Sequence, residues 1–444
     1  MHVHFISIGG AVMHNMALAL HHKGYKVSGS DDEIYEPAKS RLEKAGILPD
    51  KFGWYPEKIE QKPDIVILGM HARKDNPELQ KALDLGLKVY SFPAYVYECT
   101  RNKKRIVVGG SHGKTTTTAM ILHVLKATGK KFDYLVGSIL EGFDAMVGLD
   151  EESEVAIIEG DEYLSSAVDL RPKFHLYHAD IGIITGIAWD HINVFPTYDN
   201  YKEQFAIFMR MLPKDGKLIY CTSDKDLEHL VSNTHIEASL VPYDIPIYEI
   251  RNAITHVKIG DQTYELALVG KHNMQNMMAA MHACLSIGVS QTDFMQAMCT
   301  FSGTAKRLEV LQQKQTSVVY RDFAHAPSKL RATIDAVKTQ FLQRKLIAVY
   351  ELHTYSSLNK DFLPQYFQSM QQADIAFVLF SEHALTMKKL PMLSIQDVEK
   401  GFGIGVKVFT NKEALRKAIA ETYTGNENLL LMSSGNFDGM DLSF

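Results

Sequence analysis

The sequence predicts an α/β protein of three consecutive domains, each a mainly parallel sheet covered by helices. Three observations carry this expectation. Apolar runs rich in β-branched residues alternate with helix-like stretches along the whole chain. The chain has 444 residues, too many for one ordinary core. The segment Arg105–Thr118, "RIVVGGSHGKTTTT", joins a strand to a helix through a glycine-rich turn, the arrangement by which α/β folds hold phosphate.

The first expected domain spans residues 1–102 and is Rossmann-like. "VHFISI" and "YKVSGSD" read as strands on either side of the helix-like "VMHNMALALHHKG". "PDIVILG" and "LKVYSF" follow, with "NPELQKALDLG" between them as a helix that stops at Gly86. The loop "SIGGAVM" places Gly9 and Gly10 in a tight turn after the first strand. Asp31 ends the second strand about 20 residues on, a position suited to a ribose hydroxyl. A nicotinamide-dinucleotide fingerprint fits poorly, because G-x-G-x-x-G counted from Ser7 falls on Ser7, Gly9 and Val12. The charged "RNKKR" at Arg101–Arg105 reads as a solvated linker.

The central domain, residues 103–303, is expected to be P-loop ATPase-like. "VAIIEG", "IGIITGI" and "GKLIYC" suit buried parallel strands. "HVKIGDQTYELAL" alternates around a Gly-Asp turn and reads as an antiparallel hairpin added to this domain. "HNMQNMMAAMHACLSIG" is an amphipathic helix ending at Gly288. In the third domain, residues 304–444, "TSVVYRDFA", "KLIAVYE", "ADIAFVLF", "VKVFT" and "NLLLMSS" are strands between helices, again Rossmann-like.

Composition narrows the function classes. With 46% hydrophobic and 22% charged residues and a formal net charge of −5, the chain is an ordinary globular protein and no polyanion binder. Nucleic acid is therefore not an expected partner. Cys99, Cys221, Cys284 and Cys299 are scattered and form no C-x-x-C pair, which argues against a structural zinc site or a disulfide framework. The opening "MHVHFISIGG" lacks a signal-peptide layout, and no run of about 18 apolar residues occurs. A cytoplasmic protein with no membrane partner is expected, as a monomer or weak dimer.

The phosphate loop departs from the general pattern G-x-x-x-x-G-K-[ST], which wants glycine where Val108 stands. Even so, Gly109, Gly110 and Gly113 lie between strand and helix, where backbone N–H groups and the helix dipole face an anion. Lys114 can then reach terminal phosphates, and the Thr115 hydroxyl is placed for Mg²⁺. "VAIIEGDEY" ends a strand with Glu159, Asp161 and Glu162, and "GIAWDHINVF" sets Asp190 and His191 beyond another. Open α/β sheets bind ligands at such strand ends. Alone, each cluster would read as a solvated loop or a helix cap.

Together, "GGSHGKTTT", "IIEGDEY", the "DH" after a strand, "GKHNMQNMMAA", "GTAKRLE" and "DFAHAPSKL" resemble, in order and over the whole chain, the Mur ligases. These are ATP-dependent amide-forming enzymes of peptidoglycan assembly. The family's loop resembles G-T-x-G-K-[ST], which accounts for Val108 and leaves Ser111 where threonine is usual. The resemblance implies ATP and Mg²⁺ as cofactors. It assigns nucleotide binding to Gly110, Ser111, His112, Gly113, Lys114, Thr115 and Thr116, with Thr115, Glu159 and His191 as metal ligands. Asn273 and Asn276, with His272 nearby, resemble the adenine-recognising pair. Arg307 resembles the linker arginine on the nucleotide side, and Asp322 the ribose-binding aspartate. Lys114, Glu159, His191 and Arg307 are the implied catalytic set. His325 resembles the histidine near the incoming amine, and Gly9, Gly10 and Asp31 the sugar-nucleotide site.

The "SIGGAVM" loop resembles the branch acting on UDP-N-acetylmuramate itself, which adds either L-alanine or a whole murein peptide. "LLLMSSGNFDGM" and "YELHTYSSLNK" resemble the peptide-adding side, with L-alanyl-γ-D-glutamyl-meso-diaminopimelate as acceptor in peptidoglycan recycling. The departures are Thr185-Gly186 where the family has "TN", and His353 where the peptide-adding branch has arginine. L-alanine addition is the alternative, and a non-catalytic nucleotide-binding regulator of the same fold is a third.

Overall fold

A computed structural model describes residues 1–189, 194–304 and 307–444. The described residues form two compact units, residues 1–244 with 276–297, and residues 245–275 with 298–444. Among them, no helix is long and apolar enough to cross a membrane.

The first unit holds two sheets. Strands β1 (His2–Ile6), β2 (Lys26–Ser30), β3 (Ile65–Leu68) and β4 (Val89–Ser91) make a parallel sheet in the order β2-β1-β3-β4. Helix Ala11–His22 crosses from β1 to β2. Helix Pro77–Asp84 starts as its sequence predicts. Asn76 accepts from the Glu78 and Leu79 amides, Pro77 takes the first turn, and Gly86 follows at φ +65°. The second sheet is formed by β5 (Lys104–Gly109), β6 (Asp133–Leu135), β7 (Val147–Gly148), β8 (Val155–Glu159), β9 (Ile181–Ile184), β10 (Lys217–Cys221) and β11 (Ser239–Tyr243). Its order is β11-β10-β9-β5-β8-β6-β7, parallel except for β6 with β7. Strand β5 lies inside, against β8 and β9. Ile106, Val107 and Val108 are fully buried, as expected of a strand covered on both faces.

The second unit holds a three-stranded antiparallel sheet of β12 (Ile247–Arg251), β13 (Ile254–Ile259) and β14 (Gln262–Leu266). The Gly260-Asp261 turn joins β13 to β14, with Gly260 at φ +60°. By its contacts this hairpin clusters with the second unit. Gln340 there donates to the Ala253 carbonyl at 2.7 Å and shares a hydrogen bond with Thr255. A six-stranded sheet completes the unit, built from β15 (Glu309–Gln313), β16 (Val318–Asp322), β17 (Leu346–Leu352), β18 (Ile375–Phe380), β19 (Val406–Phe409) and β20 (Asn428–Met432). The order is β15-β16-β20-β17-β18-β19, and only β15 runs antiparallel to its neighbour. The return of β20 between β16 and β17 brings the ends of these three strands together at a switch point, where open α/β sheets take ligands.

The expectation of a solvated linker at Arg101–Arg105 holds only in part: Arg101, Asn102 and Lys104 are exposed, but Arg105 is buried and its guanidinium donates to the carbonyls of Thr100, Arg101, Lys103 and His178 and pairs with Asp180 at 3.0 Å. Lys103 pairs with the buried Asp133 at 2.8 Å. A basic run that looks solvent-bound in sequence becomes a pinned corner once carbonyls and carboxylates surround it.

The N-terminal sheet carries a buried hydrogen-bonded pair. His4 Nε2 donates to Glu78 Oε2 at 3.1 Å with both side chains fully buried, and the Tyr55 amide donates to Glu78 Oε1 at 2.7 Å. Burial alone would raise the Glu78 carboxyl, but these donors outweigh it and hold the group below its usual range. Removing one partner leaves the other buried and unsatisfied. Glu78→Ala should therefore cost about 3–5 kcal/mol, measured by urea unfolding followed through Trp54 fluorescence in a Trp189→Phe background.

Candidate functional site

The carboxyl end of β5 runs into Gly110 and Gly113, at φ +125° and +77°, and helix Lys114–Ala127 begins at once. Val108 lies within the strand, paired across to Glu159 and Ile183, so this loop is shorter than the general pattern allows. A Cβ on Gly110 would meet Thr185 Oγ1 at 2.3 Å, and one on Gly113 would meet Asn276 Oδ1 at 2.2 Å. Positive φ and close approach together restrict both positions to glycine. The His112 carbonyl accepts from the Thr185 hydroxyl, and Gly186 accepts from the Ser111 amide at 2.9 Å. The Ser111 hydroxyl is buried with no partner among the described residues, an orphan of the kind a ligand satisfies.

Lys114 Nζ donates to the Gly110 carbonyl at 2.6 Å and to Glu162 Oε2 at 2.7 Å. Burial would depress the ammonium, but Glu162, Asp161 and Glu159 more than offset it and raise its pKa. The Thr115 hydroxyl donates to Glu159 Oε1 at 2.7 Å, and the Gly137 amide donates to Glu159 Oε2 at 2.7 Å. Thr116 lies buried in the first helical turn. A nucleoside polyphosphate fits this cradle of glycines, lysine and orphaned hydroxyl. Thr115 and Glu159 supply adjacent oxygens for a hard cation, whose remaining ligands a phosphate can provide. Among the described residues no three His, Cys, Asp or Glu side chains gather as a metal cage. His191 and its neighbour Asp190 lie outside the described residues.

At the N-terminal sheet, Asp31 Oδ2 accepts from the Gly9 amide at 2.7 Å, and Gly10 follows as the residue before helix Ala11–His22. Burial raises the Asp31 carboxyl to about 6, against the opposing Gly9 hydrogen bond. Arg41, which sequence reasoning did not single out, donates to Asn15 Oδ1 at 2.9 Å and to the Asp144 carbonyl at 2.8 Å. It thereby ties this loop's helix to the segment leading into β7. Its partners lie far apart in sequence, and no local pattern marks them.

In the second unit, Asp322 and Arg307 both lie within electrostatic reach of His272. Burial lowers the His272 pKa, outweighing the pull of Asp322, and Lys271 and Arg307 act with burial. Its Nδ1 is buried without a partner among the described residues. The Arg307 guanidinium lies over Phe323 at 5.1 Å. Asp322 accepts from the amides of Leu308 and Ala324 at 2.8 and 2.7 Å, so it shapes its own loop. Asn273 donates to the Val269 carbonyl at 2.9 Å and lines, with Arg307, Tyr320, Phe341 and Arg344, a cleft of about 640 Å³. Asn276 belongs to the first unit, beside Gly113.

His325 Nδ1 donates to the Phe323 carbonyl at 2.8 Å, and the His325 carbonyl accepts from the hydroxyls of Tyr350 and Tyr366 at 2.9 and 2.8 Å. Nearby on β17, Glu351 escaped the sequence reading. It accepts from the Ser433 hydroxyl and from the amides of Phe437 and Asp438 at 2.8 and 3.1 Å. A Cβ on Gly435 would lie 2.7 Å from His353 Nδ1. "YELHTYS" and "SSGNFDG" thus form one feature at the switch point.

Comparison with known proteins places these elements. Residues 2–104 match the model described as Mur ligase family, catalytic domain, residues 108–284 the Mur ligase middle domain, and residues 306–435 the Mur ligase, glutamate ligase domain. The UDP-N-acetylmuramate–L-alanine ligase of Clostridium kluyveri is 31% identical over 377 residues, 81% of this chain and 80% of that protein. The UDP-N-acetylmuramate–L-alanyl-gamma-D-glutamyl-meso-2,6-diaminoheptandioate ligase of Escherichia coli is 28% identical, covering 99% of this chain and 96% of its own. The crystal structure of a murein peptide ligase from Psychrobacter arcticus superimposes with a TM-score of 0.68 at 26% identity, covering 99% of this chain and 97% of that one. The UDP-N-acetylmuramate-alanine ligase of Thermotoga maritima gives 0.71 at 23% identity, over 99% and 97%, a likeness of fold.

The glycine geometry is directly testable. Gly113→Ala should weaken ADP binding at least about tenfold, because the methyl forces φ +77° and Asn276 apart at a cost on the order of 1–3 kcal/mol. Titration calorimetry with ADP, alongside a thermal midpoint, reads both effects.

Proposed function

The chain belongs to the Mur ligase family, ADP-forming amide ligases, and from that premise we propose that it joins UDP-N-acetylmuramate to L-alanyl-γ-D-glutamyl-meso-diaminopimelate in peptidoglycan recycling. The observation that carries the peptide as acceptor is the Glu351 feature. The two segments that resemble the peptide-adding branch are far apart in sequence, yet the loop after β20 folds onto the end of β17 and seats His353 against Gly435. L-alanine is the second reading, because relatives named for each reaction are equally similar, at 28% identity.

In this reading Gly9, Gly10 and Asp31 hold the uridine nucleotide, and Asn273, Asn276, His272 and Asp322 the adenosine. Thr115 and Glu159 would hold magnesium, with His191 as the third ligand that the family resemblance implies. Bound ATP and magnesium would supply activation of the lactyl carboxylate, the γ-phosphoryl group passing to it with release of ADP and the acceptor amine then displacing inorganic phosphate to form the amide. The protein's part is electrostatic. A carboxylate and a polyphosphate repel each other, and Lys114 with the N–H groups of the uncapped first helical turn lowers that repulsion. Arg307 adds positive charge on the nucleotide side. His325, held by its own Nδ1–H bond and by two tyrosines on its carbonyl, is the histidine this reading puts near the incoming amine.

Phosphate release from ATP and UDP-N-acetylmuramate should be fastest with the tripeptide, slower with L-alanine and negligible with neither. Faster turnover with L-alanine would overturn the peptide assignment.

Asp31 gives a pH test. A carboxyl raised to about 6 by burial stabilises the fold below its ordinary value near 4, and that stability is lost as pH rises through about 6. A ribose hydroxyl donates to the anion, so its binding favours the ionised form. The affinity for UDP-N-acetylmuramate, whose esterified pyrophosphate does not titrate in this range, should rise from pH 5 to pH 7, and the rise should be lost in Asp31→Asn, measured by calorimetry across that range.

A further inference from the structure

The three acids of "EGDEY" each have a different partner. Glu159 takes the Thr115 hydroxyl and the Gly137 amide, Asp161 pairs with Lys173 at 2.7 Å, and Glu162 pairs with Lys114 at 2.7 Å. Glu162 is the most deeply placed, its side chain 1% exposed against 15% for Lys114. Its other oxygen accepts from the Tyr201 hydroxyl at 3.1 Å. Tyr201 is itself fully buried between Phe195 and Phe205 on helix Tyr198–Arg210. The carboxylate is therefore fixed from behind and presents Oε2 to the loop.

We propose that Glu162 is a positioning residue for the phosphate-loop lysine, fixing the ammonium before nucleotide arrives and opposing the nucleotide's own charge. The inference rests on the nucleotide reading of the loop. An ammonium has three donors, and Glu162 and the Gly110 carbonyl take two from fixed directions. The third is left with a defined direction, so the lysine spends little entropy in meeting a phosphate. The same carboxylate, buried in a low-dielectric wall, repels any phosphate that Lys114 receives. Aim is gained and affinity is lost, two effects that a packing role would not separate.

Glu162→Gln keeps the shape and the Tyr201 contact while removing the charge. Titration calorimetry with ADP in EDTA should show affinity rising roughly three- to tenfold over the unmodified protein. Phosphate-release kcat, measured with UDP-N-acetylmuramate and the acceptor the unmodified protein uses, should fall at least about tenfold. Tyr201→Phe retains the charge but removes the hydroxyl that anchors Glu162 Oε1. Its ADP affinity should stay within about twofold while kcat falls. Affinity for ADP that is unchanged or weaker in Glu162→Gln, at an unchanged thermal midpoint, overturns the proposal. So does an unchanged kcat in Tyr201→Phe, which decides the matter if the glutamine variant does not fold. Failure of the unmodified protein to bind ADP would instead overturn the nucleotide reading beneath it.

Discussion

The buried ammonium of Lys114 is the constraint around which the first unit is arranged. A lysine removed from water needs compensating negative charge, and it finds that charge at the carboxyl end of β8. This requires β8 beside β5, which the parallel order of the sheet provides. It also requires a turn tight enough to bring the Gly110 carbonyl back to Nζ, and hence glycines at positive φ. The helix must start at Lys114 itself, without a side-chain cap, so that the first-turn N–H groups stay open to an anion.

A second regularity runs through both units. At the end of a strand, a carboxylate accepts backbone N–H groups from a neighbouring loop. Asp31 takes the amide of Gly9, Glu159 that of Gly137, Asp322 those of Leu308 and Ala324, and Glu351 those of Phe437 and Asp438. Loops that must shape a ligand site have few hydrophobic contacts to hold them. A short charge-assisted bond to a rigid strand end supplies the fixed geometry instead. An acid doing this remains able to accept from a ligand, since a carboxylate has more than two acceptor positions.

Much of the fold was legible because parallel strands buried on both faces are continuous apolar runs, and "RIVVGG", "VAIIEG" and "KLIAVYE" fall on β5, β8 and β17. The phosphate loop was legible for the same local reason, as a strand, a glycine turn and a helix adjacent in sequence. What could not be read was set by distance along the chain. Arg105 looked solvated until Asp180 and four carbonyls met it. The antiparallel hairpin was visible from its Gly-Asp turn, but its alternation carries no address for the Gln340 contact within the second unit. Glu351 was one acid in an apolar run, and its partners lie some eighty residues on.

The same distinction separates Glu162 from Glu159. By residue type alone the two are similar acids at the end of a strand, and only the family resemblance singles out Glu159. What distinguishes them is the partner behind each. Glu159 faces a hydroxyl and an amide, groups that leave its charge available to a cation. Glu162 is backed by a phenol in an aromatic wall, and its other oxygen faces the Lys114 ammonium. Tyr201 therefore decides the role of an acid it precedes in no motif. A carboxylate acquires a function in such a site from what restricts it, and the restricting group here is an aromatic core residue.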